Sequence, residues 1–208
     1  MKQTRQHKEQ NAEKLIRELF VKDNLKKITP DAANELMHFY NTKSFNRLQT
    51  ARAIYKLSQE SALKPQLGVT TEYTDYGEAV SAAYYAMYYI VHAYLADAYK
   101  TKLEDGIRGV HAITHNIVVY YLVKTKKLAR HLYEEYLITL ETTSAIQNLT
   151  VESFMEDAYH YAEKYDRTRE AREVFTYRTT GRVEAQHAER AVKTAEEFIG
   201  TISQLFSD

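Results

Sequence analysis

Apolar residues recur at helical spacing along most of this chain, and we find no alternation of the kind that marks strands. Between Gly77 and Tyr99 they form two stripes at 3.5-residue spacing. The first stripe consists of Ser81, Tyr85, Tyr88, His92, Leu95 and Tyr99. The second consists of Val80, Ala83, Met87, Val91, Tyr94 and Ala98. A helix that is apolar on two sides is typical of the centre of a helical bundle.

The first 62 residues predict three helical stretches and one break. The run Thr29–Asp31 reads Thr-Pro-Asp and predicts a helix start, because the hydroxyl caps free N–H groups, proline suits the first turn and an acid favours the positive end of the dipole. Apolar pairs at residues 15–20 and 36–40 predict short helices on either side of it. Asn41–Ser44 predicts a break, and a longer helix is expected from Phe45 to Ala62.

Turn residues and apolar periodicity divide the rest of the chain. Lys64–Asp75 holds Pro65 and Gly68 and predicts a loop. The remaining predicted helices are Val110–Val123, Leu128–Leu140, one that opens at Leu149 and Thr150, and Arg182–Phe206. The pattern therefore predicts an all-α protein, an up-and-down antiparallel helical bundle over residues 45–208 with an N-terminal helical extension over residues 1–44.

Composition narrows the classes of function. The 28 basic and 28 acidic residues cancel, so the whole chain is not a general polyanion binder. The absence of cysteine excludes disulfides, thiolate zinc sites and cysteine nucleophiles, and it is compatible with a cytoplasmic protein. No apolar run approaches the roughly 18 residues of a membrane span, which predicts no membrane association. Eighteen tyrosines predict a core and interfaces built from aromatic side chains that keep one polar end.

A dense arginine cluster precedes the last predicted helix and is the strongest candidate binding site. It consists of Arg167, Arg169, Arg172, Arg178 and Arg182, around the aromatic residues Phe175 and Tyr177. A bundle does not need such a cluster in order to fold. Guanidinium groups bind phosphate with two parallel hydrogen bonds, so these arginines are candidate residues for binding RNA or a nucleotide.

Four segments resemble the HEPN domain family (higher eukaryotes and prokaryotes nucleotide-binding), in particular its prokaryotic subgroup encoded beside minimal nucleotidyltransferases. They are Arg47–Arg52, Tyr76–Tyr89 with its Tyr-Tyr-Ala-Met-Tyr run, Ala171–Tyr177 and Ala195–Phe198. Their order and approximate spacing match those of the subgroup. The resemblance covers about residues 45–206 and implies a helical bundle that usually dimerises, with the arginine motifs of two partners facing one cleft.

The resemblance also implies a chemistry. Many HEPN domains are metal-independent ribonucleases that use an arginine followed four to six residues later by a histidine. Arginine would neutralise the phosphate, and histidine would move protons at the 2′-hydroxyl and the leaving oxygen. Here the signature arginine is best matched by Arg172, and Tyr177 stands five residues later in place of histidine. Related toxin–antitoxin pairs carry a tyrosine in this neighbourhood that the partner nucleotidyltransferase adenylylates, so Tyr177 is either such a site, a substrate-holding residue or only structural.

Two other arginine–histidine pairs lie at or near this spacing, one five and the other seven residues apart. Arg182 and His187 open the last predicted helix close to the arginine cluster, whereas Arg108 and His115 belong to another segment. His111 and His115 are four residues apart on one predicted helix, but the acid that a zinc protease motif carries between them is missing, which favours histidines of the core or an interface. The catalytic candidates are therefore Arg172, Tyr177, Arg182 and His187, with no metal and no cofactor expected.

These observations favour a homodimeric binding module for RNA or a nucleotide, or for a nucleotidyltransferase partner in a toxin–antitoxin system. The alternative is a metal-independent endoribonuclease that uses an Arg/His pair. The tyrosines of the helix Gly77–Tyr99 are interpreted mainly as core and dimer contacts, although aromatic side chains also stack on bases.

Overall fold

A computed structural model describes residues 2–146 and 183–206 of the chain. These residues form six α-helices and one two-stranded sheet. The helices are α1 (Lys2–Val21), α2 (Pro30–Gln59), α3 (Tyr76–Tyr99), α4 (Val110–Val118), α5 (Arg130–Ile146) and α6 (Ala185–Ser203). The strands are β1 (Leu25–Lys27) and β2 (Thr101–Leu103). The all-α class predicted from the sequence is confirmed.

Helix α2 begins as its sequence predicts but runs much further. The hydroxyl of Thr29 accepts a hydrogen bond from the backbone N–H of Ala32 at 3.3 Å, and Pro30 occupies the first turn. The predicted break at Asn41–Ser44 is wrong, since α2 is continuous to Gln59. Ser44 is fully buried there, and its hydroxyl donates to the carbonyl of Ala86 on α3 at 2.7 Å.

Helix α3 is the centre of the described structure, as the two apolar stripes predict. Asp75 caps its start by accepting from the backbone N–H of Glu78 at 3.0 Å, and Lys100 ends it with a left-handed φ of 47°. It contacts α2, α4, α5 and α6. Almost every residue from Ala79 to Asp97 is buried, so α3 has no fully solvated face over that stretch.

The two short strands are a feature that the sequence pattern missed. Leu25 pairs with Leu103 and Lys27 with Thr101 in an antiparallel register. Three residues per strand are too few to produce a visible alternation of apolar and polar positions. The pairing joins the segment after α1 to the segment after α3.

Helix α1 packs on the same core as the later helices. Ile16 and Leu19 belong to one buried cluster with residues of α3 and α6. Glu13 accepts a hydrogen bond from Lys124, which lies after α4. The boundary expected after residue 44 falls inside α2, whose Leu48 and Ala51 join that same cluster.

Two glycines shape the loop that connects β2 to α4. Gly106 and Gly109 adopt left-handed φ values of 75° and 71°, where a side chain would be strained. Helix α4 follows Gly109 and continues as a π-helix over Val119–Val123.

The helix expected to open at Leu149 lies outside the described residues. Among those described, none of the helices combines the length and apolarity needed to cross a membrane.

Candidate functional site

Most residues of the predicted site lie in the part of the chain that the structure does not describe. They are Arg167, Arg169, Arg172, Tyr177, Arg178 and Arg182. His187 alone of the predicted site residues is described. It lies half-buried in the first turn of α6, and its backbone N–H bonds to the carbonyl of Glu184 at 3.1 Å.

Helix α6 is anchored to α5 immediately after His187. Arg190 donates from Nε and Nη2 to the two carboxylate oxygens of Glu135, each at 2.6 Å, which is the bidentate geometry of a strong ion pair. Further along α6, the ring of Phe198 stacks on the ring of Tyr136 with centroids 5.4 Å apart. These two contacts fix the position at which the chain that follows the arginine cluster enters the bundle.

The second Arg/His pair of the sequence has its members in different environments. Arg108 is exposed in the loop before α4, whereas the side chain of His115 is buried. The His115 ring stacks on the rings of Tyr133 and Tyr136, and its Nε2 lies 3.5 Å from the hydroxyl of Tyr133. His115 is therefore a histidine of the core, as the sequence favours.

His111 and His92 take part in a buried network of tyrosines. The hydroxyl of Tyr84 lies 2.8 Å from Nδ1 of His111. His92 Nε2 lies 2.9 Å from the hydroxyl of Thr114, which donates its own proton to the carbonyl of Val110 at 2.8 Å. Thr114 therefore accepts from an Nε2–H group of His92, which sets the tautomer of that ring.

Burial controls the protonation of this network. It lowers the pKa of His92 to about 4, with a smaller contribution from the nearby His111, and it lowers the pKa of His111 to about 4 as well. Burial also raises the pKa of Tyr84 well above its ordinary value, because a phenolate would lose its hydration. At neutral pH both histidines and the tyrosine are uncharged. The network is therefore a set of neutral hydrogen bonds.

The structure shows no grouping of three His, Asp or Glu side chains that could hold a metal within residues 2–146 and 183–206. His111 and His115 use their ring nitrogens towards different tyrosines, Tyr84 and Tyr133. The chemistry of the described cluster is thus aromatic and hydrogen-bonding.

A cation–aromatic surface lies on the outer side of α2 and α3, and the sequence interpretation did not include it. Lys43 Nζ lies 4.4 Å from the ring centroid of Phe39 and 5.3 Å from that of Tyr89. The guanidinium carbon of Arg47 lies 5.8 Å from the ring centroid of Tyr85. We call these five residues the α2–α3 aromatic face.

A sequence signal for this face exists in hindsight. From residue 36 to residue 59, α2 contains no Asp or Glu but four cations, Lys43, Arg47, Arg52 and Lys56. Lys43 and Arg47 are four residues apart, and so are Tyr85 and Tyr89. Only the packing of α2 against α3 shows that the two pairs meet.

Comparisons of the chain with protein-family models, with curated proteins and with solved structures find no match. The resemblance to HEPN domains therefore stays a prediction that rests on the four sequence segments described above.

Proposed function

We propose that this chain is an HEPN-like binding module whose ligand is single-stranded RNA. The observation that carries the proposal is the density of arginines between residues 167 and 182, which directly precede the anchored helix α6. Guanidinium groups neutralise phosphates and, together with neighbouring aromatic rings, suit a strand whose bases are unpaired. The aromatic residues Phe175 and Tyr177 lie within the same stretch.

The attachment of α6 supports this proposal. The Arg190–Glu135 ion pair and the Phe198–Tyr136 stacking contact hold the helix against α5. A binding segment that enters a rigid helix has less conformational entropy to lose than one with two free ends. We therefore place the RNA site at the chain segment that leads into α6.

A second candidate function is metal-independent RNA cleavage, and the position of His187 favours it. His187 is only half-buried and follows Arg182 by five residues. In this mechanism Arg182 would hold the scissile phosphate while His187 takes the proton of the 2′-hydroxyl. The 2′-oxygen would then attack phosphorus, the bond from phosphorus to the 5′-oxygen would break, and His187 would return its proton to the 5′-oxygen, giving a 2′,3′-cyclic phosphate.

The proposal includes an assembly. By its resemblance to HEPN domains the protein would form a homodimer with a shared cleft, and a nucleotidyltransferase would be its partner in a toxin–antitoxin system, with Tyr177 as the residue to be adenylylated. A cytoplasmic location belongs to the same proposal, since RNA and such an enzyme would be met there.

We expect purified protein to bind a labelled mixed-sequence single-stranded RNA in EDTA at low salt, and Arg172→Ala to weaken this binding by roughly tenfold, because one charge-assisted phosphate contact is lost. Fluorescence anisotropy measures the affinity, and gel electrophoresis of the same samples measures cleavage. Arg17→Ala is the matched control, since Arg17 is exposed and its ion pair with Glu13 lies within α1.

The outcomes separate the two functions. Intact RNA that is retained by the wild type and released by Arg172→Ala supports a binding module. Cleavage that disappears in His187→Ala, with an unchanged melting curve, supports the ribonuclease. An RNA that is neither bound nor cleaved at low ionic strength would contradict both.

A further inference from the structure

The α2–α3 aromatic face has a repeating geometry. Lys43 lies over Tyr89 and Arg47 lies over Tyr85, so a step of four residues forward on α2 corresponds to a step of four residues backward on α3. The two helices are thus antiparallel, and each repeat presents one cation and one tyrosine ring. A rise of 1.5 Å per residue separates the repeats by about 6 Å.

The cations of this face differ from those at other rings. Within residues 2–146 and 183–206, Lys43 and Arg47 have no hydrogen-bond or ion-pair partner besides the rings themselves. Every other cation that lies over a ring there also has a polar partner. These are Lys27, which donates to the Tyr99 carbonyl, Lys124, which donates to Glu13, and Lys127, which donates to the Tyr94 hydroxyl.

The rings of the face remain accessible. Phe39 is 51% exposed, and Tyr85 and Tyr89 are half-buried rather than covered. The two cations farther along α2 form ion pairs. The Arg52 guanidinium lies 2.6 Å from the Glu196 carboxylate, and the Lys56 ammonium lies 3.8 Å from the Glu60 carboxylate. Burial, and to a smaller extent the negative charge of Asp105, raises the pKa of Tyr40, whose ring stacks on that of Tyr89. Among the described residues, the lysines and arginines of α2 that have no carboxylate partner are therefore Lys43 and Arg47.

Positive charge without counter-ions beside accessible aromatic rings is the combination by which proteins bind single-stranded nucleic acid. A purely apolar partner would leave both cations without a counter-charge, whereas a phosphate backbone supplies one for each. We infer that the α2–α3 aromatic face is a second contact surface for single-stranded RNA, where Lys43 and Arg47 bind successive phosphates and Tyr85 and Tyr89 contact the bases. This inference rests on the proposed function and extends it to a surface away from the arginine cluster.

The test compares two charge-matched double variants by fluorescence anisotropy with a labelled single-stranded RNA of mixed sequence. Lys43→Gln/Arg47→Gln removes the cations of the face, and Arg52→Gln/Lys56→Gln removes two paired cations of the same helix. Both lower the net charge by two. We expect roughly tenfold weaker binding for the first variant and about 1.4 units less slope in log K against log salt, since each phosphate contact on a single strand contributes about 0.7.

A second pair of variants tests the rings. Tyr89→Leu should weaken binding by about fivefold or more, because a stacked base is lost. It should also reduce the quenching of 2-aminopurine placed within the RNA. Tyr120→Leu is the control, since the ring of Tyr120 is also half-buried and lies 5.0 Å from a lysine, but that lysine is bound to Glu13. It should bind as the wild type does.

Four outcomes would overturn the inference. Equal weakening by the two double variants would show a general effect of charge. RNA binding that Arg172→Ala weakens but Lys43→Gln/Arg47→Gln leaves unchanged would remove the α2–α3 aromatic face while keeping the proposed function, and no binding by the wild type would remove both. A change of sedimentation coefficient in Lys43→Gln/Arg47→Gln without RNA would show that a second copy of the chain occupies the face instead.

Discussion

Replacing Tyr136 with alanine should lower the free energy of unfolding by about 3–5 kcal/mol, the usual cost of removing a large aromatic side chain from a core. Tyr136 is fully buried in α5. Its ring stacks on Phe198 of α6 and lies 6.4 Å from the ring of Tyr84 on α3, so three helices meet at this side chain. Urea denaturation followed by circular dichroism at 222 nm measures the loss.

Tyr136→Phe is the matched control and separates the ring from its hydroxyl. That hydroxyl is buried and has no hydrogen-bond partner among residues 2–146 and 183–206. Removing an unpaired polar group costs nothing in the folded state, so Tyr136→Phe should leave stability unchanged or raise it by up to about 1 kcal/mol. A loss of more than about 1 kcal/mol in this variant would show that the hydroxyl is bonded in the folded protein. A small loss in Tyr136→Ala would contradict the central position of the ring.

Stability should fall as the pH drops from 6.5 towards 4, in a window set by His92 and His111. Their folded pKa of about 4 lies below the ordinary histidine value of 6.5, so the unfolded chain binds more protons in this range and is favoured by acid. Above pH 6.5 the unfolded chain loses this preference for protons, so the two neutral histidines no longer lower the free energy of unfolding. For the buried His92 the loss amounts to about 2 kcal/mol between pH 7 and pH 5. His111 adds a smaller loss of the same sign, because it is only partly buried.

His92→Asn tests this assignment. The asparagine side chain keeps an N–H donor for the hydroxyl of Thr114 but has no group that titrates in this pH range. The variant should start from a lower stability at pH 7 and lose about 2 kcal/mol less than the wild type on acidification to pH 5. His38→Asn makes the same substitution at an exposed histidine of α2 and is the matched control for the loss of an imidazole ring. Urea denaturation at both pH values gives the difference. An unchanged pH dependence in His92→Asn would place the titrating group elsewhere.

The local chemistry of the chain predicted much of the fold. Three features could be predicted because each depends on residues close together in the chain. They are the cap at Thr29, the loop around Pro65 and the two stripes of α3. The break expected at Asn41–Ser44 was wrong for the opposite reason. A polar residue in a helix normally competes for its own backbone, but Ser44 is satisfied by Ala86, 42 residues away in the chain.

The candidate binding surfaces also include one that the sequence predicts and one that only the tertiary structure shows. The arginine cluster and the Arg182–His187 spacing were visible as sequence patterns, and their function stays a prediction. The α2–α3 aromatic face was not predicted as a site, because the tyrosines of α3 were interpreted as core and dimer contacts and nothing local in the sequence pairs them with Lys43 and Arg47. Their meeting requires the antiparallel register of α2 and α3.

By itself, the sequence determined an all-α protein with α3 at its centre, because helix periodicity and capping are local properties of neighbouring residues. Tertiary structure alone decided the continuity of α2, the pairing of β1 with β2 and the neutral state of His92. Each of these depends on a group distant in the chain, which supplies a hydrogen-bond partner or excludes water, and no spacing along the sequence encodes that encounter.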